Sequence, residues 1–309
     1  MFIPFIALAV IRVTLQTAFM DACYVGDVQV IQSLIEDKLA GFNEEVSTGL
    51  VIAAEKGFTD VIRVLLSANV NVNYRNKQGS TALIAASTRG NSSAVALLIG
   101  ANADPKAAND LGHTPLIGAS LRGHTEVVRL LVQARSNVNH ICKNGNVALI
   151  LAAYRNHGEV VDILLKAKAD VNHVGKGGST ALTSAVDSDL DQERVVDSLL
   201  RARANSQIAR NDKRTALSIA EHRNQANIVD LLVLFDDSSY PPNHINLYHE
   251  ALKKKNKLKV AVQEFMTFAN FSEVFPIETF QTTVGVVKAT VEATVNTFLL
   301  KRSVDYRSK

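Results

Sequence analysis

The sequence predicts an all-α solenoid, built from stacked helix–turn–helix units with projecting hairpin turns and followed by a C-terminal helical segment. Three observations carry this. A local pattern returns every 33 residues; one alanine and one leucine recur in every copy; and a turn-forming residue, usually glycine or asparagine, closes the first half of each copy. The 309 residues are 47% hydrophobic and 20% charged, enough apolar material for one long repeat array or two ordinary domains. A formal net charge of +3 does not by itself call for nucleic acid as a partner.

The copies are found from Thr48. The pattern recurs at Thr81, Thr114, Val147 and Thr180, each 33 residues on, then at Thr215, and Thr17 precedes it. Two residues after these seven origins stand Phe19, Leu50, Leu83, Leu116, Leu149, Leu182 and Leu217. Five residues after them stand Ala22, Ala53, Ala86, Ala119, Ala152, Ala185 and Ala220, and near the close of each copy Leu34, Leu65, Leu98, Leu131, Leu164, Leu199 and Leu232.

Each element follows from this pattern. The first helix of a copy, such as Thr81 to Arg89, is short, and its alanine suits a place where neighbouring backbones approach closely and a larger side chain would overpack. It ends at Gly26, Gly57, Gly90, Gly123, Asn156, Asp189 or Asn224; glycine and asparagine tolerate the left-handed conformation that closes a helix. The second helix, such as Glu126 to Gln133, buries a wide face through Val127, Val128, Leu130 and Leu131. Between copies, Asn76-Lys77-Gln78-Gly79, Asn109-Asp110-Leu111-Gly112 and Lys143-Asn144-Gly145 predict tight turns. The sixth copy carries two extra residues around Asp187-Ser188-Asp189-Leu190-Asp191, read as a longer connection between its helices.

This pattern resembles the ankyrin repeat, whose period is 33 residues with a T-P-L-H-x-A signature. The fourth copy resembles it most, with Gly112-His113-Thr114-Pro115-Leu116-Ile117-Gly118-Ala119 followed by Gly123-His124-Thr125-Glu126-Val127-Val128-Arg129-Leu130-Leu131; the fifth closes in family style with Ala169-Asp170-Val171-Asn172. The likeness covers residues 17–236. The family's proline stands only at Pro115, and its histidine is replaced by Met20, Val51, Ile84, Ile117, Ile150, Thr183 and Ser218, so the Thr–His hydrogen bond the resemblance implies is expected to be missing. The resemblance also makes Asn172 a candidate for asparagine hydroxylation.

Four segments are expected: an apolar lead-in over 1–16, the array over 17–236 with its first and last copies as caps, a polar linker over 237–243 containing Pro241-Pro242, and a helical cap or extension over 244–309. The apolar run Phe2 to Ile11 is too short to span a bilayer and lacks a preceding basic residue, so it is read as cover for the first copy rather than a signal. In the last segment Ile277, Phe280, Val284, Val287, Val291, Val295 and Phe298 fall on one helical stripe, which suits a cap. Membrane contact through either of these apolar segments is the alternative use.

No catalytic or metal-binding constellation stands out: GxSxG, HExxH and P-loop patterns are absent, Gly175-Lys176-Gly177-Gly178-Ser179-Thr180 has the wrong spacing for a phosphate loop, and His140 and His173 sit on turns without companion ligands. No cofactor is expected. Cys23 and Cys142 are read as ordinary small residues in a reducing compartment, hence a cytoplasmic location.

Charge is periodic instead. Eight residues after the origins stand Lys56, Arg89, Arg122 and Arg155; the series breaks at Ser188 and resumes at Arg223. In ankyrin arrays this helix end looks toward the concave face. Like charges on helices ~8–10 Å apart repel by only ~0.4 kcal/mol in water, so the series is tolerable without a function. Leu121 and Tyr154, each just before a basic residue, are candidate central contacts. The expectation is a monomeric, non-enzymatic module that binds a protein partner with an acidic patch on this basic face, with neither small-molecule substrate nor nucleic acid. The alternative is a secreted effector in the host cytosol, whose array selects a target while residues 244–309 act on it or dock to a membrane.

Overall fold

The computed structural model describes the backbone of residues 2–36, 43–188, 190 and 192–236, with side chains from residue 13 onward except at 43, 234 and 236. Contacts divide the chain into Met1–Asp236 and Asp237–Lys309. The expected linker and C-terminal helices lie outside the described residues.

Fourteen α-helices are described: α1 (Phe2–Val25), α2 (Val28–Glu36), α3 (Asn43–Lys56), α4 (Thr59–Ser67), α5 (Ala82–Arg89), α6 (Ser92–Gly100), α7 (Pro115–Arg122), α8 (Thr125–Gln133), α9 (Ala148–Tyr154), α10 (Gly158–Lys166), α11 (Ala181–Val186), α12 (Glu193–Arg201), α13 (Ala216–His222) and α14 (Ala226–Asp236). A 3-10 turn covers Lys176–Gly178. Each odd-numbered helix packs on the even-numbered one that follows it, on the previous odd helix and on the next, and the even helices likewise pack on one another in order. Two parallel rows of helices result.

The recurring residues explain the packing. All seven recurrent alanines are buried, and all but Ala22 are at 0% exposure. Leucines Leu65, Leu98, Leu131, Leu164, Leu199 and Leu232 are fully buried as well, while Leu34 is half-buried at one end of the array. Short helices cannot hold themselves together in water, so this continuous apolar seam is what keeps each pair folded.

The helix closures follow the predicted chemistry. Gly26, Gly57, Gly90 and Gly123 have φ between +76° and +81°, and Asn156 and Asn224 adopt the same left-handed region. Asp189 lies outside the described residues. Among the threonine origins the helix starts divide into two kinds, while Val147 caps α9 without a side-chain bond. Thr81, Thr114, Thr180 and Thr215 are N-caps whose hydroxyls accept from the backbone N–H three residues on. Thr17 and Thr48 instead sit inside α1 and α3, where their hydroxyls donate to the carbonyls of Thr14 and Glu44. The expected lead-in continues into the first copy: α1 runs from Phe2 through Thr17 without a break, and neither glycine nor proline stands between residues 5 and 25 to interrupt it.

In two copies another side chain supplies the reciprocal cap that the family's histidine would make. In the last two copies a hydroxyl stands where the histidine would be. Thr183 Oγ1 accepts from Thr180 N at 2.8 Å and Ser218 Oγ accepts from Thr215 N at 2.9 Å, completing two capping boxes. The copies with isoleucine there do without it.

The hairpins form as predicted. Asn76 Oδ1 accepts from Gln78 N and Ser80 N, and Asn109 Oδ1 from Leu111 N and His113 N, the asparagine side chain standing in for a turn of backbone. Successive hairpins are joined by single backbone bonds: Asp110 N to Gln78 O, Lys143 N to Leu111 O, and Asn211 N to Gly177 O, each 3.0–3.1 Å. The apparent phosphate loop is one of these turns, with Gly175 N donating to Ser179 O at 2.8 Å.

Candidate functional site: the basic ends of the first helices

The basic residues eight positions after each origin sit at the C-terminal ends of α3, α5, α7 and just past α9 and α13, on helices that pack consecutively. Equal offsets in equal repeats bring them to equivalent points of one row. What decides their chemistry is the residue seven positions after the origin in the preceding copy, because the basic side chain reaches back toward it.

Three of the five basic residues meet something there that engages them. Lys56 Nζ lies 6.0 Å from the centroid of the Tyr24 ring, a cation–π contact. Arg89 grips Glu55 Oε1 with both Nε and Nη2. Arg223 Nε lies 3.3 Å from Asp187 Oδ1, and the other oxygen of that carboxylate takes Arg210 Nη1 at 2.6 Å. Asp187 thus sits between two guanidinium groups, at the extended connection of the sixth copy, where Ser188 stands in place of a basic residue.

At Arg122 and Arg155 the equivalent residues are Thr88 and Leu121, which carry no charge. Both arginines are exposed, and among the described residues neither pairs with a carboxylate. Arg155 instead lies 5.8 Å from the ring centroid of its neighbour Tyr154, which is 48% exposed. Leu121 is half-buried. The predicted residues therefore fall on one row of packed helices, but they are not equivalent: Arg89 and Arg223 pair with carboxylates of the preceding copy, Lys56 and Arg155 lie against tyrosine rings, and Arg122 and Arg155 have no carboxylate partner among the described residues.

A second set of residues holds this row in place, and no motif in the sequence singled it out. In four copies the residue just before the second helix reaches back to the open carbonyls at the C-terminus of the previous copy's first helix. Asn91 Nδ2 donates to Ala54 O and Glu55 O at 2.9 and 3.0 Å. Nε2 of His124 lies 3.1 Å from Thr88 O, Nε2 of His157 3.3 Å from Leu121 O, and Nε2 of Gln192 donates to Tyr154 O at 3.3 Å. These carbonyls would otherwise be helix-end orphans. Burial pushes the pKa of His157 below the ordinary value, assisted by the nearby Arg155 and His124 and opposed by the bond to Leu121. The neutral ring with a proton on Nε2 suits a donor to a carbonyl. The only signal in the sequence was the recurrence of Asn, His and His ten residues after their origins, with Gln192 two further on in the longer sixth copy.

The turn histidines have the same kind of explanation. Nε2 of His140 lies 3.1 Å from Gly112 O and Nε2 of His173 3.0 Å from Gly145 O, each tying one hairpin to the one before. No group of histidine, cysteine and acidic residues suited to a metal occurs among the described residues. Cys23 and Cys142 are buried free thiols, and burial pushes the Cys23 thiol up to about 12, away from reactivity at neutral pH. Asn172, the hydroxylation candidate, accepts from Asn205 N at 2.8 Å and donates to Arg203 O at 3.5 Å. Asn139 and Asn73 make the equivalent bridges to Asp170 and Asp104. The Asn172 amide is thus a tie between copies, and a modifying enzyme would have to open it.

A double row of short stacked helices defines a helical-repeat protein. The ankyrin-repeat family model matches residues 19–109, 86–175 and 116–208, in three copies. The chain belongs to the ankyrin repeat family. It is similar to the crystal structure of an ankyrin repeat domain from Acinetobacter baumannii AYE, at 32% identity and a TM-score of 0.57, over 60% of this chain and 96% of that one. No curated protein matches the sequence. Ankyrin repeats generally mediate protein–protein interaction, and that is the class of activity to which this chain belongs.

Proposed function

We propose that this chain is a non-catalytic interaction module that binds an acidic region of a protein partner on the face formed by the C-terminal ends of its first helices. The observation that supports this is the placement of Arg122 and Arg155 on neighbouring packed helices, exposed, with no internal carboxylate and with Tyr154 and Leu121 alongside. Arginine grips a carboxylate with two parallel N–H groups, a geometry that lysine cannot match. Tyrosine supplies large, stiff apolar area beside the charge, a combination typical of residues that dominate binding energy. Exposed charge pairs are screened over ~8–10 Å, so the complex should weaken as salt is added.

The test uses the full chain as bait against a cell lysate, followed by affinity measurement with the partner recovered. Charge reversal at both positions, Arg122→Glu with Arg155→Glu, should abolish binding while the helical circular dichroism signal stays unchanged. Lys166→Glu, at the end of the second helix α10, is the control and should change affinity little. An unchanged affinity in the double reversal refutes the assignment.

A further inference from the structure

Resting on that reading, we infer that only the two central arginines form the recognition site, and that it takes an extended protein segment carrying two carboxylates at positions i and i+3. The two flanking arginines already have carboxylate partners within the fold. Arg89 is already paired with Glu55, Arg223 shares Asp187 with Arg210, and Lys56 lies one copy beyond the paired Arg89. A ligand competing for either of these arginines must first displace an internal partner. At Arg122 and Arg155 the internal position is filled by Thr88 and Leu121, so the acceptor has to come from outside.

The spacing follows from helix packing. Arg122 ends α7 and Arg155 follows α9, and these two helices pack directly on each other. Packed helices stand ~8–10 Å apart. A segment in the polyproline II conformation rises ~3.1 Å per residue and makes one turn in about three residues, so side chains at i and i+3 share a face at ~9 Å. In a β-extended segment, same-face residues lie only ~7 Å apart at i and i+2, short of the helix spacing. The two residues between the carboxylates pass over Leu121 and the exposed Tyr154, which favours an apolar side chain or proline there.

The experiment measures fluorescence anisotropy of the full chain with three labelled proline-rich peptides of one composition. Their two glutamates stand three positions apart, adjacent, or six apart. The first should bind about tenfold tighter than its isomers, a preference that Arg122→Ala or Arg155→Ala removes and that Arg89→Ala leaves in place. Glu55→Gln releases Arg89, and should tighten a peptide with a third glutamate at i−3 or i+6 while leaving the two-glutamate peptide unaffected. Equal binding of the isomers, no binding by any of them, a preference that survives Arg122→Ala, or tighter binding of polyuridylate than of the first peptide overturns the inference. If the peptides show no spacing preference and the double charge reversal still abolishes capture of the partner, the broader reading stands and only the two-point geometry falls. Failure of both refutes the acidic-partner reading as well.

Discussion

Replacing Gly123 by alanine should destabilise the array by more than its backbone conformation alone explains. Gly123 has φ +76°, and a Cβ built there lies 2.5 Å from Nδ1 and 2.6 Å from Cε1 of His157. Gly177 is the internal standard, since its φ is +70° but a Cβ there meets nothing within 4 Å. Both substitutions incur the left-handed penalty of an L-residue, about 1–2 kcal/mol. Only Gly123→Ala must also push the His157 ring off the carbonyl of Leu121, losing a bond that contributes about 1 kcal/mol net. The excess over Gly177→Ala should therefore be about 1–2 kcal/mol once the lost ring packing is added. Urea unfolding of the full chain, followed by circular dichroism, reads this as a midpoint lower by roughly 0.5 M, for a slope of a few kcal/mol per molar. In a His157→Ala background Gly123→Ala should cost only the left-handed penalty. Equal losses at Gly123 and Gly177, together with additivity within about 0.5 kcal/mol in the Gly123/His157 cycle, would show that the glycine is there for φ alone.

Two further stability predictions rest on single side chains. Ser120 is fully buried and its hydroxyl has no hydrogen-bond partner among the described residues, so Ser120→Ala, which copies the Ala54 and Ala153 found at the same offset, should leave stability unchanged or raise it by about 1 kcal/mol; a loss above 1 kcal/mol in thermal unfolding would reveal a bond the hydroxyl makes. His157 has its pKa lowered in the folded chain by burial, so the unfolded chain binds more protons and stability, complete above the ordinary histidine value of 6.5, declines as pH falls through and below it. His157→Asn, which reproduces the Asn91 found at the equivalent place, should flatten the dependence of the urea midpoint between pH 7 and 5; an unaltered pH profile would refute the assignment.

The repeat was legible in the sequence because its determinants are local. An alanine where backbones meet, a leucine in the seam, and a glycine or asparagine at φ near +60° to +80° are demands of volume and backbone conformation, and they fall on the same residue in every copy. The positions of the basic residues were legible for the same reason. The availability of their charges was not. Whether a guanidinium is free depends on the side chain presented by the preceding copy, which stands 34 residues away for Arg89 and 36 for Arg223. Only the register of packed helices brings Glu55 and Asp187 to two of these arginines while leaving Thr88 and Leu121 opposite two others. The carbonyl ties made by Asn91, His124, His157 and Gln192 were hidden on the same physical ground: a hydrogen bond between copies has no local signature, and becomes visible only when the helix that lacks a donor for its last carbonyls and the residue that supplies one are stacked together.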